Sequence, residues 1–591
     1  MQDTSREIPI FYAFDEAFAK FAIVSITSLI QNADPSRQYC IHILHTEISP
    51  GTREHIRKLE REFVTIVFDQ VSSHLQTIQT ALPLRDYYSK TTYYRLFIAE
   101  MFPSLDKAIY MDSDTVVLGD ISQLFDYDLR DMALGACHEQ AMVQEDVYGT
   151  YVEKCLGIDR NAYFNAGVLL INCQYFREKK ILEKFIALLG EYDFRVTQDE
   201  DYLNLLCKDR VRFLPQIWNT ELFGEIADSK EQCNILHYIM VSKPWHYEDC
   251  RWGDVFWSYA RQTEVYDELR DVLASYTDEE RAADAASAQR LMELAIAETN
   301  RPDNYLNRLN QSRDAGRIAV LKKIEDLESS GIFDQDVEED PPSRQIQPGE
   351  VDYLGKKWRN RILFRIAHAL AKRFVYDQMD KRQLQIKGVI GLEHFSSLRT
   401  GAVLTCNHFN AYDSFAIQMA YEYSNQRARK KHFYRIIREG NYTSFPGFFG
   451  FLMRHYHTLP LSSNRKTMKE FIRATDTLLG EGHFVLIYPE QSMWWNYRKP
   501  KPLKEGGFYF AAKNRVPVLP CFIVQRDSDV MGGDGFPVQE YTIHISAPIY
   551  PKEGLSVSAN TAYLMEENAR LWKGIYEGEY GMPLQYHTKS E

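Results

Sequence analysis

The sequence predicts an α/β protein of two domains joined by a helical connector. Three observations predict it. Between residues 8 and 258, short apolar runs alternate with amphipathic stretches, the rhythm of strands buried on both faces. Residues 259–332 carry helical periods and no strand signal, and a second pattern of apolar runs begins near 351. At 591 residues the chain is also too long for one hydrophobic core.

The elements follow in order. IPIFYAF, QYCIHILH, VTIVFD, KAIYMDSD and AYFNAGVLLIN read as strands, with helical stretches such as FAKFAIVSITSLIQN between them. These belong to a first domain, residues 1–258. EVYDELRDVLASY, TDEERAADAASAQRLMELAIAETN and AGRIAVLKKIEDLESS then give the helical connector, 259–332. DQDVEEDPPSRQIQP is acidic and contains proline, so 333–350 is expected as an extended linker. In the second domain, 351–591, the clearest strands are GAVLTCNH, FVLIYPE and VPVLPCFIV. No internal repeat relates the two α/β halves, which reads as two unrelated modules.

Apolar residues make up 45% and charged residues 26%, as in ordinary globular protein. A net charge of −13 argues against a nucleic-acid partner. The nine cysteines are scattered and form no C-x-x-C pair. With no signal-peptide pattern in MQDTSREIPIF, a reducing cytoplasm is the expected compartment. No run reaches the roughly 18 apolar residues of a membrane span.

Two motifs carry chemistry. In AIYMDSDTVV, Asp112 and Asp114 stand at the end of a hydrophobic strand, where a turn can aim both carboxylates at one hard cation such as Mg²⁺ or Mn²⁺. Alone, D-x-D also describes a solvated turn. Its neighbours make the first domain resemble the retaining glycosyltransferases of family eight, the glycogenin and lipopolysaccharide-galactosyltransferase family. The blocks are AFDEAF, TTYYRLFIAEMFP, YFNAGVLLIN, QDEDYLN, FLPQIWN and ILHYIMVSKPW, spread over about residues 7–258.

This resemblance implies a GT-A fold, a UDP-sugar donor and a divalent metal, commonly Mn²⁺, held by Asp112, Asp114 and His237. Ala13, Phe14 and Asp15 are implied at the nucleoside. Arg95, Ser113, Asn165, Ala166 and Lys243 are implied along the rest of the donor, with Lys243 reaching the diphosphate. Asp199 is a candidate for the sugar hydroxyls. Glu200 stands where the family often has glutamine between two acids. A carboxylate there could stabilise an oxocarbenium ion, act as a nucleophile, or bind an acceptor hydroxyl.

The second motif is NHFNAYDSF. His408 follows a strand and Asp413 opens a helix, so the carboxylate can orient the imidazole as a general base. A structurally satisfied histidine gives the same spacing. Around it, IKGVIGLEHF, FVLIYPEQSMW and NRVPVLPCFI make residues 356–550 resemble the glycerolipid (lysophosphatidate) acyltransferases. The resemblance implies acyl transfer from acyl-CoA or acyl carrier protein to a hydroxyl, with His408 as base, Asp413 as its orienter and Glu490 in the acidic block. Three positions depart from that family. Ser463 and Met493 stand where two arginines serve the acceptor phosphate, and Gln491 replaces a glycine. Arg465, Arg498, Lys499, Lys501 and Lys504 lie nearby in sequence.

KKWRNRILFRIAHALAKRFVY (356–376) mixes basic and apolar residues at partly helical spacing and is a candidate for a membrane surface. SFPGFFGFLM could line an acyl groove or touch lipid. Together these readings predict a bifunctional enzyme that transfers a hexose and an acyl group to a glycolipid or cell-envelope glycan precursor, peripheral at the inner face of a membrane. The alternative is a glycosyltransferase with a decayed, binding-only second domain.

Overall fold

The computed structural model describes residues 7–72, 90–226, 229–338 and 343–588. The chain forms two compact units, Met1–Gln311 and Ser312–Glu591. The division falls inside the stretch expected as a connector. The helix Asp278–Asn300 belongs to the first unit and starts on a capping box, Thr277 with Glu280. Its Leu291 and Ala295 are buried in that unit's core. The helix Ala315–Ser329 belongs to the second unit.

In the first unit, β1 (Glu7–Ala13), β2 (Gln38–His45), β3 (Val64–Gln70), β4 (Lys107–Met111), β6 (Leu134–Ala136), β7 (Val168–Asn172) and β8 (Val211–Phe213) form one sheet in the order β3-β2-β1-β4-β7-β6-β8. β7 runs antiparallel to both neighbours, and the other pairs are parallel. A second sheet holds β5 (Thr115–Val117), β10 (Ile235–His237) and β9 (Thr220–Glu221), in the order β5-β10-β9. The five runs read as strands from sequence overlap β1, β2, β3, β4 and β7. β1 is nearly all apolar and buried because helices cover both faces of a parallel sheet. The helix Ala19–Asn32 packs beside it, buried along most of its length.

The second unit is built on β11 (Gln385–Ile390), β12 (Ala402–Thr405), β13 (Phe433–Ile437), β14 (Thr458–Pro460), β15 (Phe484–Ile487), β16 (Val518–Met531) and β17 (Pro537–Ile545). Their order is β11-β17-β16-β12-β15-β13-β14. Only β16 and β17 pair antiparallel. β12, β15, β13 and β14 therefore end on one edge, the side where open α/β sheets bind ligands.

Part of the acidic stretch expected as an extended linker is irregular but anchored. Val337 is buried with Trp494, and Phe333 stacks on the Trp494 ring at 5.6 Å. Residues 339–342 of that stretch lie outside the described residues.

Candidate active sites

In the first unit, the turn between β4 and β5 carries Asp112, Ser113 and Asp114. β10 runs antiparallel to β5 with His237 opposite Thr115, which brings the imidazole to the same turn. Ligand atoms of Asp112, Asp114 and His237 all lie within 4.8 Å of one another. His237 Nε2 is 3.2 Å from Asp114 Oδ1, while Nδ1 is 3.0 Å from Asn219 Oδ1. If Nδ1 carries the proton and donates to Asn219, Nε2 keeps its lone pair for a metal.

Two further observations fit a cation here. A Cβ on Gly167 would come within 2.3 Å of His237 Cε1 and 2.9 Å of Asp112 Oδ2, so only glycine leaves the cradle open. The buried Ser113 Oγ has no hydrogen-bond partner. Two carboxylates and an imidazole are a donor set suited to Mn²⁺.

Charge is distributed unevenly around this triad. Burial alone would raise the Asp114 carboxyl, but Lys243, 2.6 Å from its Oδ2, and His237 outweigh it and hold it well below the usual range. Asp112 goes the other way: burial outweighs Arg95 and raises it. Arg95 braces the site. Its Nη2 donates to Asp112 Oδ1 at 3.0 Å, its Nε lies 3.2 Å from Asp199 Oδ2, and it also donates to the Ala166 carbonyl.

Asp199 opens the helix Asp199–Leu206, and burial, offset in part by Arg95, pushes its carboxyl up to about 6. The residue before it, Gln198, has φ 56° and ψ −117°, a conformation that costs a non-glycine residue about 1–3 kcal/mol. Glu200 Oε2 accepts the Ala166 N–H at 2.9 Å. Burial, reinforced by Glu139, raises the Glu200 carboxyl well above its ordinary value.

One cleft is lined by Ala13, Arg95, Asp112, Ser113, Asp114, Asn165, Ala166, Asp199, Glu200, His237 and Lys243. Phe14 and Asp15 are not among its lining. The Phe14 side chain is buried in the core, leaving only its backbone for a nucleoside. Asp15 Oδ1 accepts the Phe18 N–H at 3.1 Å.

Sequence reasoning missed Glu139 and Glu221 entirely. Glu139 follows β6, lines the cleft and accepts from Asn165 Nδ2 at 2.5 Å. Glu221 sits beside His237 in the β9–β10 register, and burial reinforced by Glu139 raises its carboxyl. Asn219 was visible in FLPQIWN but carried no assigned role. Its Nδ2 donates to Asn165 Oδ1 at 2.8 Å, so it ties His237 to Asn165 on the cleft wall.

In the second unit, His408 follows β12 and Asp413 is the first residue of the helix Asp413–Tyr423. His408 Nδ1 is 2.7 Å from Asp413 Oδ2. Tyr488 donates to Asp413 Oδ1 at 2.7 Å and stacks on the imidazole at 4.0 Å.

Glu490, a catalytic candidate from sequence, has a different place. It is 2% exposed, and its two oxygens accept the backbone N–H groups of His408 at 3.0 Å and Lys501 at 2.9 Å. Its carboxylate thus ties the backbone of His408 to that of Lys501. Lys501 Nζ lies 3.7 Å from that carboxylate, and burial, offset by Glu490 and Asp336, brings it down to about 8. Gln491 has a left-handed backbone, at φ 66°, a conformation that glycine adopts without strain.

The cations flagged near the departures are held by acids: Arg498 by Asp527 at 2.8 Å, Lys499 by Glu328 at 2.8 Å and Lys504 by Asp334 at 3.0 Å. Ser463 donates to Glu439 Oε2 at 2.7 Å. Arg465 starts the helix Arg465–Gly480, where Asn464 caps the N-terminus.

Residues 9–249 match glycosyl transferase family 8, and residues 388–524 match the acyltransferase family. The chain thus joins a region that matches the family-8 glycosyltransferase model to one that matches the acyltransferase model. A lipopolysaccharide 1,2-glucosyltransferase of Escherichia coli K12 is 28% identical over 41% of this chain and 74% of its own length. A lipopolysaccharide 1,3-galactosyltransferase of Salmonella typhimurium LT2 is 26% identical over 41% of this chain and 73% of its own. The solved 1-acyl-sn-glycerophosphate acyltransferase PlsC of Thermotoga maritima is similar at 18% identity and a TM-score of 0.27, covering 38% of this chain and 84% of that one. The architecture is thus mixed α/β throughout, glycosyltransferase-like in the first unit and acyltransferase-like in the second.

Proposed function

We propose that the first unit transfers a hexose from a UDP-sugar with retention, and that the second acylates a neutral hydroxyl of a glycolipid or cell-envelope glycan precursor. The observation that carries the reading is that each region holds its own assembled constellation: Asp112, Asp114 and His237 in one, His408 and Asp413 in the other.

In the first site, Asp112, Asp114 and His237 would hold Mn²⁺ or Mg²⁺, which supplies charge neutralisation at the donor diphosphate. Lys243 adds a second positive charge at the same oxygens as the bond from sugar to diphosphate breaks. Arg95 fixes Asp112 and Asp199 relative to each other, so the sugar contacts stay in register with that triad. Glu200, raised in pKa and tied to the Ala166 amide, fits a group that binds a hydroxyl on the sugar or acceptor better than a free nucleophile.

In the second site, Asp413 accepts a hydrogen bond from Nδ1–H and leaves the Nε2 lone pair of His408 for the acceptor hydroxyl. The hydroxyl proton moves to Nε2 and its oxygen forms the new ester bond at the thioester carbonyl. The carbon–sulfur bond breaks, and the leaving thiolate of CoA or acyl carrier protein takes up the proton. No acyl-enzyme is needed.

A membrane surface is the proposed workplace. No described helix is long and apolar enough to cross a bilayer. The helix Trp358–Asp380 buries Ala367, Ala371 and Val375 and leaves a stripe outside: Trp358 is 66%, Ile362 47% and Ile366 46% exposed. Arg359, Arg361 and Arg365 are exposed beside it. Apolar residues flanked by arginines suit an anionic lipid interface. Phe448 and Phe449, also exposed, pack around Phe374 of the same helix.

The test is incubation of the full chain with radiolabelled UDP-glucose or UDP-galactose, Mn²⁺, a long-chain acyl-CoA and membrane glycolipid extract. Label and acyl chain entering lipid are the expected result. Neither donor being consumed above a blank would overturn the reading.

A further inference from the structure

The second unit's sheet has its motif residues along one edge. Along that edge β12 leads to His408, β15 to Glu490, β13 to Arg438 and β14 to Ser463. Arg438 therefore stands two strand spacings, about 10 Å, from the strand that carries the base. The loop 490–494 spans the gap. Glu490 receives the His408 N–H at 3.0 Å and Trp494 N–H donates to the His408 carbonyl at 3.3 Å, so both ends of the loop are tied to His408. Between them, the Gln491 carbonyl accepts from Arg438 Nη2 at 2.8 Å.

Asp336 occupies this arginine. Its two oxygens meet the two terminal guanidinium nitrogens, Nη2 to Oδ1 at 2.8 Å and Nη1 to Oδ2 closer still, and Oδ1 also accepts the Met493 N–H at 3.3 Å. A guanidinium fork plus a backbone N–H is a donor set for a phosphate or carboxylate oxyanion. Here the chain's own carboxylate fills it.

The segment does not need Asp336 to stay in place. The Phe333 carbonyl accepts from Ser492 Oγ at 2.7 Å, the Gln335 carbonyl accepts from Trp494 Nε1 at 2.8 Å, and Asp334 pairs with Lys504. Glu439, the residue after Arg438, accepts from Ser462 and Ser463 beyond the next strand, so a second carboxylate stands where an anionic acceptor would need a cation. A plain surface ion pair would give the same distances. Asp336 differs from such a pair in its place, because it also accepts an N–H of the loop tied to His408.

We propose that Asp336 is a specificity-determining residue: an internal counter-anion that occupies Arg438 and excludes acyl acceptors bearing a phosphate monoester. The proposal rests on the O-acyltransferase reading of the His408 site and names the acceptor class that site refuses. A phosphate approaching Arg438 must displace a bidentate carboxylate and meet Glu439, whereas a neutral glycoside meets neither obstacle.

The test uses the full chain with two readouts: calorimetric binding of glycerol 3-phosphate, and initial rates of acylation of lysophosphatidate against monoacylglycerol. Asp336→Asn keeps the hydrogen-bonding shape without the charge, and Asp336→Ser serves as a second variant. Both should bind glycerol 3-phosphate at least about tenfold more tightly than wild type and raise the lysophosphatidate-to-monoacylglycerol rate ratio in proportion. Adding Arg438→Gln should erase the gain. In wild type, Arg438→Gln alone should leave phosphate binding as weak as before. The proposal is overturned if neither Asp336 variant, melting like wild type, gains phosphate binding, or if wild type binds it tightly through Arg438. A binding gain in chains that acylate nothing would instead remove the acyltransferase reading and leave the counter-anion role standing.

Discussion

Nδ1 of His408 lies 2.7 Å from Oδ2 of Asp413, and the other oxygen of that carboxylate is held by Tyr488 at the same distance. The carboxylate is 2% exposed by its side chain and also receives the Phe409 N–H at 3.1 Å. An orienter so constrained selects one imidazole tautomer. Asp413→Asn should therefore cut acyl transfer by about 10²-fold or more, close to the effect of His408→Ala, because an amide donor can select the wrong tautomer. Initial rates of thiol release from acyl-CoA check this. Full activity in a folded Asp413→Asn protein would return the pair to a structural role.

A second prediction concerns Asp199, whose buried carboxyl is pushed up to about 6 from an ordinary value near 4. A carboxyl with a raised folded-state pKa keeps its proton in the native state after the unfolded chain has lost it. Its contribution to stability is thus greatest below about pH 4 and is lost as pH rises toward 6, a change of about 2–3 kcal/mol. The stability of wild type relative to Asp199→Asn, measured by chemical denaturation at several pH values, should fall across that window and flatten above it. A difference independent of pH contradicts the assignment.

The buried pair of Lys501 and Glu490 gives a third. Both groups are nearly inaccessible, and burial shifts each toward its neutral form. Lys501→Met leaves a carboxylate buried beside His408 and should destabilise the protein by about 3–5 kcal/mol, with Glu490→Gln in the same chain recovering a large part of that loss. Denaturant midpoints of the two single variants and the double variant measure the coupling. Additive losses would show that the pair is not coupled.

Both motif centres were legible in sequence because their partners are close along the chain: Asp112 with Asp114, and His408 with Asp413. The long apolar strands were legible for the same local reason. β6, β9 and β10 are only two or three residues long and carry no periodic signal, so Glu139 and Glu221 stayed hidden. The pairing of Asp336 with Arg438 joins residues 102 positions apart. Acidic, proline-containing composition reads as a linker and gives no sign that Phe333 and Asp336 dock on the loop 491–494. Glu490 matched its motif, but only burial and its two backbone partners reveal that it positions His408.

Membrane association is testable on the exposed stripe. Replacing Trp358, Ile362 and Ile366 together by serine should lower partitioning onto anionic vesicles by about tenfold or more, since each large apolar side chain contributes about 1.5–3 kcal/mol when fully buried and less at an interface. Sedimentation with phosphatidylglycerol vesicles provides the measurement, and stronger salt should weaken wild-type binding through the flanking arginines. Equal partitioning of the triple variant and wild type would exclude this face.

The central claim is that one chain carries two separate transferase centres. The most direct measurement assays UDP-sugar transfer and acyl-CoA transfer side by side, in full-length wild type, Asp114→Asn and His408→Ala, with both acceptors supplied ready-made. Asp114→Asn or a chelator should abolish sugar transfer and spare acyl transfer. His408→Ala should lower acyl transfer by at least about 10²-fold and spare sugar transfer. Loss of both activities in either folded variant, or sugar transfer that survives the chelator, would contradict the account.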